Sequence, residues 1–176
     1  VVGSGGISAW EVTDIPDTYG ALWCEVSGRG VANTTYGNFF LRLTSGSGSS
    51  PTWDTGNNYC NAVISTAGGI TTSASFYAYR ATVPYHLMYA PGGSTNSTSH
   101  KSNSFFVIPG YADASKYKSI LGQSHVEDTG SMPMFNVVAT WAETSALKGI
   151  RIYNWSGNIA EYSVLTLYGL ETQIGN

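Results

Sequence analysis

Hydrophobic and polar residues alternate in many short runs along this chain. The alternation is clearest over residues 39–44 and 148–153. Because successive side chains of a β-strand point to opposite faces, each run predicts a strand with one buried face. Arg151 is expected on the outer face of its strand. The residues expected to face the core in these two strands are Phe39, Leu41, Leu43, Ile150 and Ile152.

About eleven such runs are separated by the Gly, Ser, Asn and Asp residues that are typical of turns. The predicted strands are residues 7–12, 21–27, 39–44, 60–65, 75–83, 85–89, 104–108, 119–125, 134–141, 148–153 and 163–168. No long window keeps a helical period; the best candidate for a single helical turn is 111–117, where Asp113 would cap a turn that holds Lys116. The pattern therefore predicts an all-β fold of two packed antiparallel sheets or a barrel.

Two polar segments, residues 45–58 and 90–103, are predicted to be long loops, which are more often functional or mobile than accidental. Residues 1–8 have the Gly-rich composition of a linker or an arm. Residues 9–176 are then expected to form a single β-sandwich domain.

Composition narrows the class of protein. Only 11% of the 176 residues are charged, but 13% are aromatic, so the chain can bury a core. The net charge of −3 provides no basic field for nucleic acid, and no apolar run is long enough to cross a bilayer. We therefore expect neither a nucleic-acid partner nor membrane insertion.

Cys24 and Cys60 lie in apolar, strand-like segments and are expected to be buried free thiols. A disulfide bridge between them is the alternative, which the sequence leaves open.

Motifs for catalysis are absent from the sequence. It contains no nucleophile elbow and no phosphate-binding Gly-rich loop, and its three histidines lack metal-ligand spacing. A cation site at His125 beside Glu127 and Asp128 is less favoured than an exposed turn. We therefore expect a non-enzymatic protein with no catalytic residue, metal or cofactor. A glycosidase pair drawn from Asp54, Asp113, Glu127 and Asp128 remains the catalytic alternative, because such a pair is assembled in space.

One loop has the chemistry of a glycan site. Trp53 and Tyr59 flank Asp54, Asn57 and Asn58, which places two aromatic rings beside short polar side chains. Sugar rings stack on aromatic faces while Asp and Asn bond their hydroxyls. The alternative is a hairpin connection, in which the two aromatic rings cover the edge of the sandwich.

A second aromatic series lies further along the chain. Tyr77, Tyr79, Tyr85 and Tyr89 are expected on the outer face of strands, or in contact with a sister subunit.

Several segments, in order, resemble a family of small β-sandwich domains in tailed-bacteriophage virion proteins. The matching pieces are Ile15-Pro16-Asp17-Thr18-Tyr19, Leu41-Arg42-Leu43, Asp54-Thr55-Gly56-Asn57-Asn58-Tyr59, Tyr111-Ala112-Asp113, Lys116-Tyr117-Lys118-Ser119, Trp141 with residues 146–152, and the ending Tyr162-Ser163-Val164-Leu165-Thr166-Leu167-Tyr168-Gly169-Leu170. The resemblance implies a jelly-roll-like sandwich of roughly 8–11 strands, without catalytic residues. One departure is residues 45–53, which lengthen the loop before Asp54.

The sequence thus predicts a structural protein on the surface of a phage virion. We expect a fibre or receptor-binding domain that forms a homo-oligomer such as a trimer, contacts other virion proteins and binds a glycan on the host surface. A capsid decoration (cement) protein is the nearest alternative. A stand-alone glycan-binding module and a glycan-cleaving enzyme are the others.

Overall fold

Each alternating run of the sequence forms a strand in the computed structural model. The structure describes residues 1–31, 36–55, 58–66, 74–81, 85–91, 102–126 and 134–171. Its eleven strands are β1 (Ala9–Val12), β2 (Ala21–Gly28), β3 (Tyr36–Thr44), β4 (Tyr59–Thr66), β5 (Ala74–Ala81), β6 (Tyr85–Pro91), β7 (Ser102–Pro109), β8 (Lys118–Val126), β9 (Met134–Trp141), β10 (Gly149–Asn154) and β11 (Val164–Leu170). Most of the second predicted loop, residues 92–101, lies outside the described residues.

The strands form two sheets. One has four strands in the order β1-β10-β3-β6, and the other has seven in the order β11-β2-β7-β8-β9-β4-β5. All strand pairs are antiparallel. Inward side chains of both sheets share one hydrophobic core, so the predicted all-β sandwich is confirmed. The jelly-roll connectivity implied by the resemblance stays a prediction.

The register of β3 and β10 shows why alternation fixes the fold. Leu43 pairs with Ile150 and Leu41 with Ile152, and all four side chains are buried. Arg151 pairs with Arg42 on the opposite face. The predicted inward and outward faces of these strands are confirmed, and a slip of one residue would expose the whole apolar set.

The inner face of the larger sheet supplies the other half of the core. Its large buried apolar side chains include Leu22, Tyr59, Phe106, Ile120 and Trp141. Cys24 is also buried and free, so it forms no bridge with Cys60, whose side chain lies outside the described residues. Burial raises the pKa of the Cys24 thiol above its ordinary value, which keeps it protonated and unreactive.

The Gly-rich start packs against the domain. Val2 is buried; its N–H donates to the carbonyl of Ser163 (2.8 Å), and its carbonyl accepts from Tyr162 N–H (2.9 Å). Ile7 forms an isolated β-bridge with Ile159. Composition predicts a linker or arm over residues 1–8, but the apolar side chains of Val2 and Ile7 hold this segment on the sandwich.

A buried lysine organises the loops at one end of the sandwich. Lys118 is fully buried, and its ammonium donates to the carbonyls of Asp113 (2.7 Å), Lys116 (2.6 Å) and Thr144 (3.2 Å). Desolvation by burial lowers the pKa of this ammonium. The three bonds tie the β7–β8 connection to the segment after β9, because Thr144 belongs to that segment.

The predicted helical turn over 111–117 is wrong: the segment consists of turns with no helix. Asp113 caps only the backbone of Ser115, since its Oδ1 accepts from that N–H (2.8 Å) and from the Ser115 hydroxyl (2.6 Å). Its Oδ2 lies 3.1 Å from the ammonium of Lys116. A short aspartate side chain that bonds the backbone two residues ahead forms an Asx turn, which competes with helix formation.

This turn gives a testable pH dependence. The bonds from Ser115 and Lys116 lower the pKa of Asp113 from 3.8 to about 2, so its contribution to stability is complete above about pH 4 and is lost as the pH falls toward 2. We expect the stability difference between the wild type and Asp113→Asn to shrink over that interval in thermal melts. Ser115→Ala should raise the pKa of Asp113 in an NMR titration; an unchanged pKa would contradict the assignment.

Candidate functional site

The loop predicted to bind glycan is held by internal bonds. Asp54 Oδ2 accepts from the indole N–H of Trp141 (2.6 Å) and from Asn58 Nδ2 (2.9 Å). The backbone N–H of Asp54 donates to the carbonyl of Leu43 (3.0 Å). These bonds hold the end of the loop in place before β4. They also use one carboxylate oxygen of Asp54 for contacts within the protein.

The two aromatic rings of this loop do not form an exposed platform. Tyr59 is 1% exposed, and its hydroxyl accepts from Leu43 N–H (2.9 Å) and donates to the carbonyl of Asp54 (3.4 Å). Trp53 is half-buried beside Gly149, and Asn57 lies outside the described residues. Tyr59 is therefore a core residue and not a stacking surface, because its alternating position in β4 points inward. The hairpin alternative is wrong as well, because β3 and β4 belong to different sheets and the loop crosses from one sheet to the other.

A polar cleft of about 550 Å³ opens beside the loop, lined by Thr44, Pro51, Asp54, Asn58, Trp141 and Glu143 among others. Two carboxylates in one cleft are the arrangement that a glycosidase needs. However, bonds from the backbone and hydroxyl of Ser145 lower the pKa of Glu143, which favours its ionised form. A catalytic general acid needs a raised pKa, so Glu143 is unsuited to the role of the acid in such a pair.

No group of three or more His, Cys, Asp or Glu side chains within the described parts of the chain is placed to hold a metal ion. Glu127 and Asp128, the predicted neighbours of His125, lie outside those parts. In the described residues there is also no helix of the length and hydropathy that crossing a bilayer requires.

A different surface is rich in exposed apolar side chains. We call the outward side of β11, β2, β7, β8 and β9 the large outer face. Five side chains form a continuous row across these strands in the pairing register. They are Tyr168, Trp23, Val107, Leu121 and Val138. Tyr168, Leu121 and Val138 are exposed, and Phe105, Met134 and Leu170 extend the exposed apolar surface on either side of the row.

Aromatic stacking organises the centre of the large outer face. The rings of Trp23 and Phe105 are nearly parallel, 7° apart, with centroids 5.0 Å apart. They border a cavity of about 420 Å³ that His125 and Met134 also line. An offset pair of this kind adds rigidity to an exposed surface, because each ring restricts the rotamers of the other.

Polar groups on this face are paired with each other. The indole N–H of Trp23 donates to Glu25 Oε1 (3.0 Å), and Gln123 Nε2 donates to Asn136 Oδ1 (2.8 Å). Among the described residues of the face, Glu25 is the one acidic or basic side chain besides His125. The surface is therefore nearly uncharged, and part of its hydrogen-bonding capacity is already satisfied.

Sequence reasoning did not single out this face. The signal lies in strands that are apolar on both sides, such as Leu22-Trp23-Cys24 in β2 and Val137-Val138 in β9. A strand with one solvated face normally alternates with polar residues, so apolar residues on both sides indicate a second covered face. The predicted tyrosine series on β5 and β6 cannot be placed, because those side chains lie outside the described residues.

Comparison with known proteins gives no further guide: no family model, curated protein or solved structure matches the chain significantly.

Proposed function

We propose that this chain is a non-enzymatic structural domain on the surface of a bacteriophage virion, where it assembles as a homo-oligomer within a fibre that contacts the host. Several segments of the chain resemble, in the same order, those of virion β-sandwich domains, and this resemblance supports the proposed location on the virion. The large outer face carries the assembly part of the proposal, because exposed apolar surface of this extent is typical of an interface.

The size of the face suits a second copy of the chain. The five strands of this face, about 4.8 Å apart and about 26 Å long, present roughly 600 Å², which is at the lower end of what each partner buries in an ordinary stable interface. Exposed aromatic, Met and Leu side chains without lysine or arginine match the composition of an interface core.

Charge also favours self-association. Two copies of a surface that carries a net charge near zero can meet without like-charge repulsion, whereas a strongly charged face would need an oppositely charged partner. A two-fold axis brings identical patches together, so Leu121 or Val138 of one copy would meet the same face of another.

Val138→Glu tests this interface. We expect the wild type to be oligomeric and Val138→Glu to be monomeric by light scattering after gel filtration, because each interface would bury an unpaired carboxylate. The matched control is Val31→Glu: Val31 is 45% exposed and outside the face, whereas Val138 is 51% exposed and within it. Val31→Glu should remain oligomeric. A monomeric wild type, or an oligomer that survives Val138→Glu, would refute self-association through this face.

Immunogold labelling separately tests the proposed location on the virion. Antibodies against the purified chain should label fibres on particles of the phage that encodes it. Regular labelling of the head would instead indicate a capsid decoration protein, and an absence of label from intact particles would contradict a place on the virion surface. Release of reducing ends from host polysaccharide by the pure protein would establish an enzyme.

A further inference from the structure

We infer that the outer side of the four-stranded sheet binds an anionic saccharide through a cluster of two arginines and three aromatic rings. This inference rests on the proposed contact with the host and names the chemistry of that contact. We call the site the Arg–Tyr cluster. Its members are Phe40 and Arg42 of β3, Arg151 and Tyr153 of β10, and Trp155, which follows β10.

Two positive charges face each other across the sheet. Arg42 and Arg151 are direct partners in the β3–β10 register, an arrangement that is unfavourable unless something neutralises it. Glu11 neutralises one of them, since its Oε1 lies 3.2 Å from Arg151 Nε. Arg42 has no carboxylate partner among the described residues. The cluster therefore carries a local excess of one positive charge in a chain whose net charge is −3.

The tyrosine between the arginines holds both of them in place. The guanidinium carbons of Arg42 and Arg151 lie 5.1 Å and 5.4 Å from the centroid of the Tyr153 ring, within the range of cation–π attraction. This contact orients the two planar groups through their faces, so N–H donors at their edges remain available for an anion, apart from Arg151 Nε, which faces Glu11. Two such forks recognise carboxylate or phosphate oxygens by paired hydrogen bonds.

Buried polar atoms in the cluster lack partners. Within the described part of the chain, Arg42 Nε and the Tyr153 hydroxyl are both buried and have no partner in good hydrogen-bonding geometry. The Arg42 guanidinium is near the Tyr153 hydroxyl and partly offsets the rise in its pKa that burial causes. Leaving a buried donor unpaired is costly, and native structures seldom keep two of them side by side without a ligand or water. A bound oxyanion would provide the missing acceptor.

The aromatic neighbours supply a platform for a sugar ring. Phe40 lies 5.9 Å from Tyr153 and 5.4 Å from Trp155, so the three rings form one continuous patch. Trp155 is 59% exposed, which leaves most of its ring free to stack on the apolar face of a saccharide. A guanidinium group beside an exposed indole fits a sugar that carries a carboxylate or a phosphate, rather than a free inorganic anion or a neutral sugar.

Binding of defined saccharides to the purified protein tests the inference. The probes are oligogalacturonate and galactose phosphate, each with its neutral galactose counterpart, measured by calorimetry at low and high salt. We expect at least one anionic probe to bind about tenfold or more tightly than its neutral counterpart, and to weaken as salt rises. The probe that binds distinguishes a carboxylate from a phosphate ligand. Equal affinities for charged and neutral probes, or no binding of either anion, would overturn the inference.

Variants locate the site. Arg42→Gln and Arg151→Gln should each weaken anion binding by about tenfold or more. Arg42→Lys should weaken anion binding less than Arg42→Gln, because lysine keeps the positive charge but lacks the paired N–H donors of the guanidinium. Lys116→Gln, which removes a positive charge elsewhere, should bind normally. Trp155→Ala should weaken binding, whereas Tyr117→Ala, at an equally exposed ring outside the cluster, should not.

Thermal melts of each variant show whether the fold is intact, and anion binding that survives both Gln variants would place the ligand elsewhere. These results are independent of the oligomeric state and of the labelling of particles. If no anionic saccharide binds, the proposed place on the virion and the proposed self-association are not affected. If the oligomer or labelling tests fail, the saccharide-binding result still stands.

Discussion

Replacing Leu43 or Ile152 by alanine should lower the free energy of unfolding by about 2–5 kcal/mol. Both side chains are completely buried where β3 and β10 face the larger sheet, so truncation removes apolar contacts and leaves a cavity that rigid sheets cannot close. Denaturant unfolding followed by tryptophan fluorescence measures the change.

Val31→Ala is the control for these truncations. It shortens an apolar side chain that is 45% exposed and lies outside the large outer face, and it should cost well under about 1 kcal/mol. A loss of stability at Val31 equal to that at Leu43, or none at Leu43, would mean that the inward face of β3 has been assigned incorrectly.

The strands could be predicted because each depends on a local pattern. All eleven predicted runs overlap observed strands, and the run over 134–141 has the observed bounds of β9. The faces of β3 and β10 were also predictable, since a period of two leaves one choice once Leu41 and Ile152 must be buried.

Contacts with distant parts of the chain lie beyond what composition and spacing can predict. Residues 1–8 have the composition of a linker or arm, and in the structure the buried Val2 and the bridge at Ile7 hold this segment on the domain. Asp113 near Lys116 satisfies the sequence rule for a helix start, yet its bond to Ser115 closes an Asx turn first. A spacing rule does not include the competing bond, so it could not decide between these outcomes.

The candidate binding surfaces could not be predicted from local sequence patterns, for a different reason. Arg42 and Arg151 are distant in sequence, as are Trp23 and Phe105, and they meet because of the strand order. Aromatic residues close together in sequence, such as Trp53 and Tyr59, were the visible candidates, but alternation buries one of them. A site assembled on a sheet face needs the pairing register before its residues can be grouped.

The two surfaces lie on opposite sides of the sandwich, because one is the outer side of each sheet. This separation has a consequence for the proposed function. Copies that associate through the uncharged large outer face would leave each Arg–Tyr cluster pointing away from the assembly. Several weak saccharide sites on one particle then act together, and the resulting avidity can greatly exceed the affinity of a single site.

Replacing Trp141 by alanine should lower the free energy of unfolding by about 3–5 kcal/mol, since Trp141 is among the largest fully buried side chains. Its indole N–H also donates to Asp54, so Asp54→Ala should cost about 1–3 kcal/mol by leaving that donor unpaired. Chemical denaturation provides both values. The control is Trp155→Ala, at an exposed indole, which should change stability by about 0.5 kcal/mol or less.

The same variants separate a structural from a ligand-binding role for Asp54. If Asp54 only anchors its loop, Asp54→Ala lowers stability but leaves saccharide binding unchanged, whereas Trp155→Ala has the opposite pair of effects. The reverse result, full stability with lost binding in Asp54→Ala, would return the glycan site to the loop between β3 and β4. It would also show that the bonds from Trp141 and Asn58 orient a ligand-binding carboxylate rather than close the edge of the core.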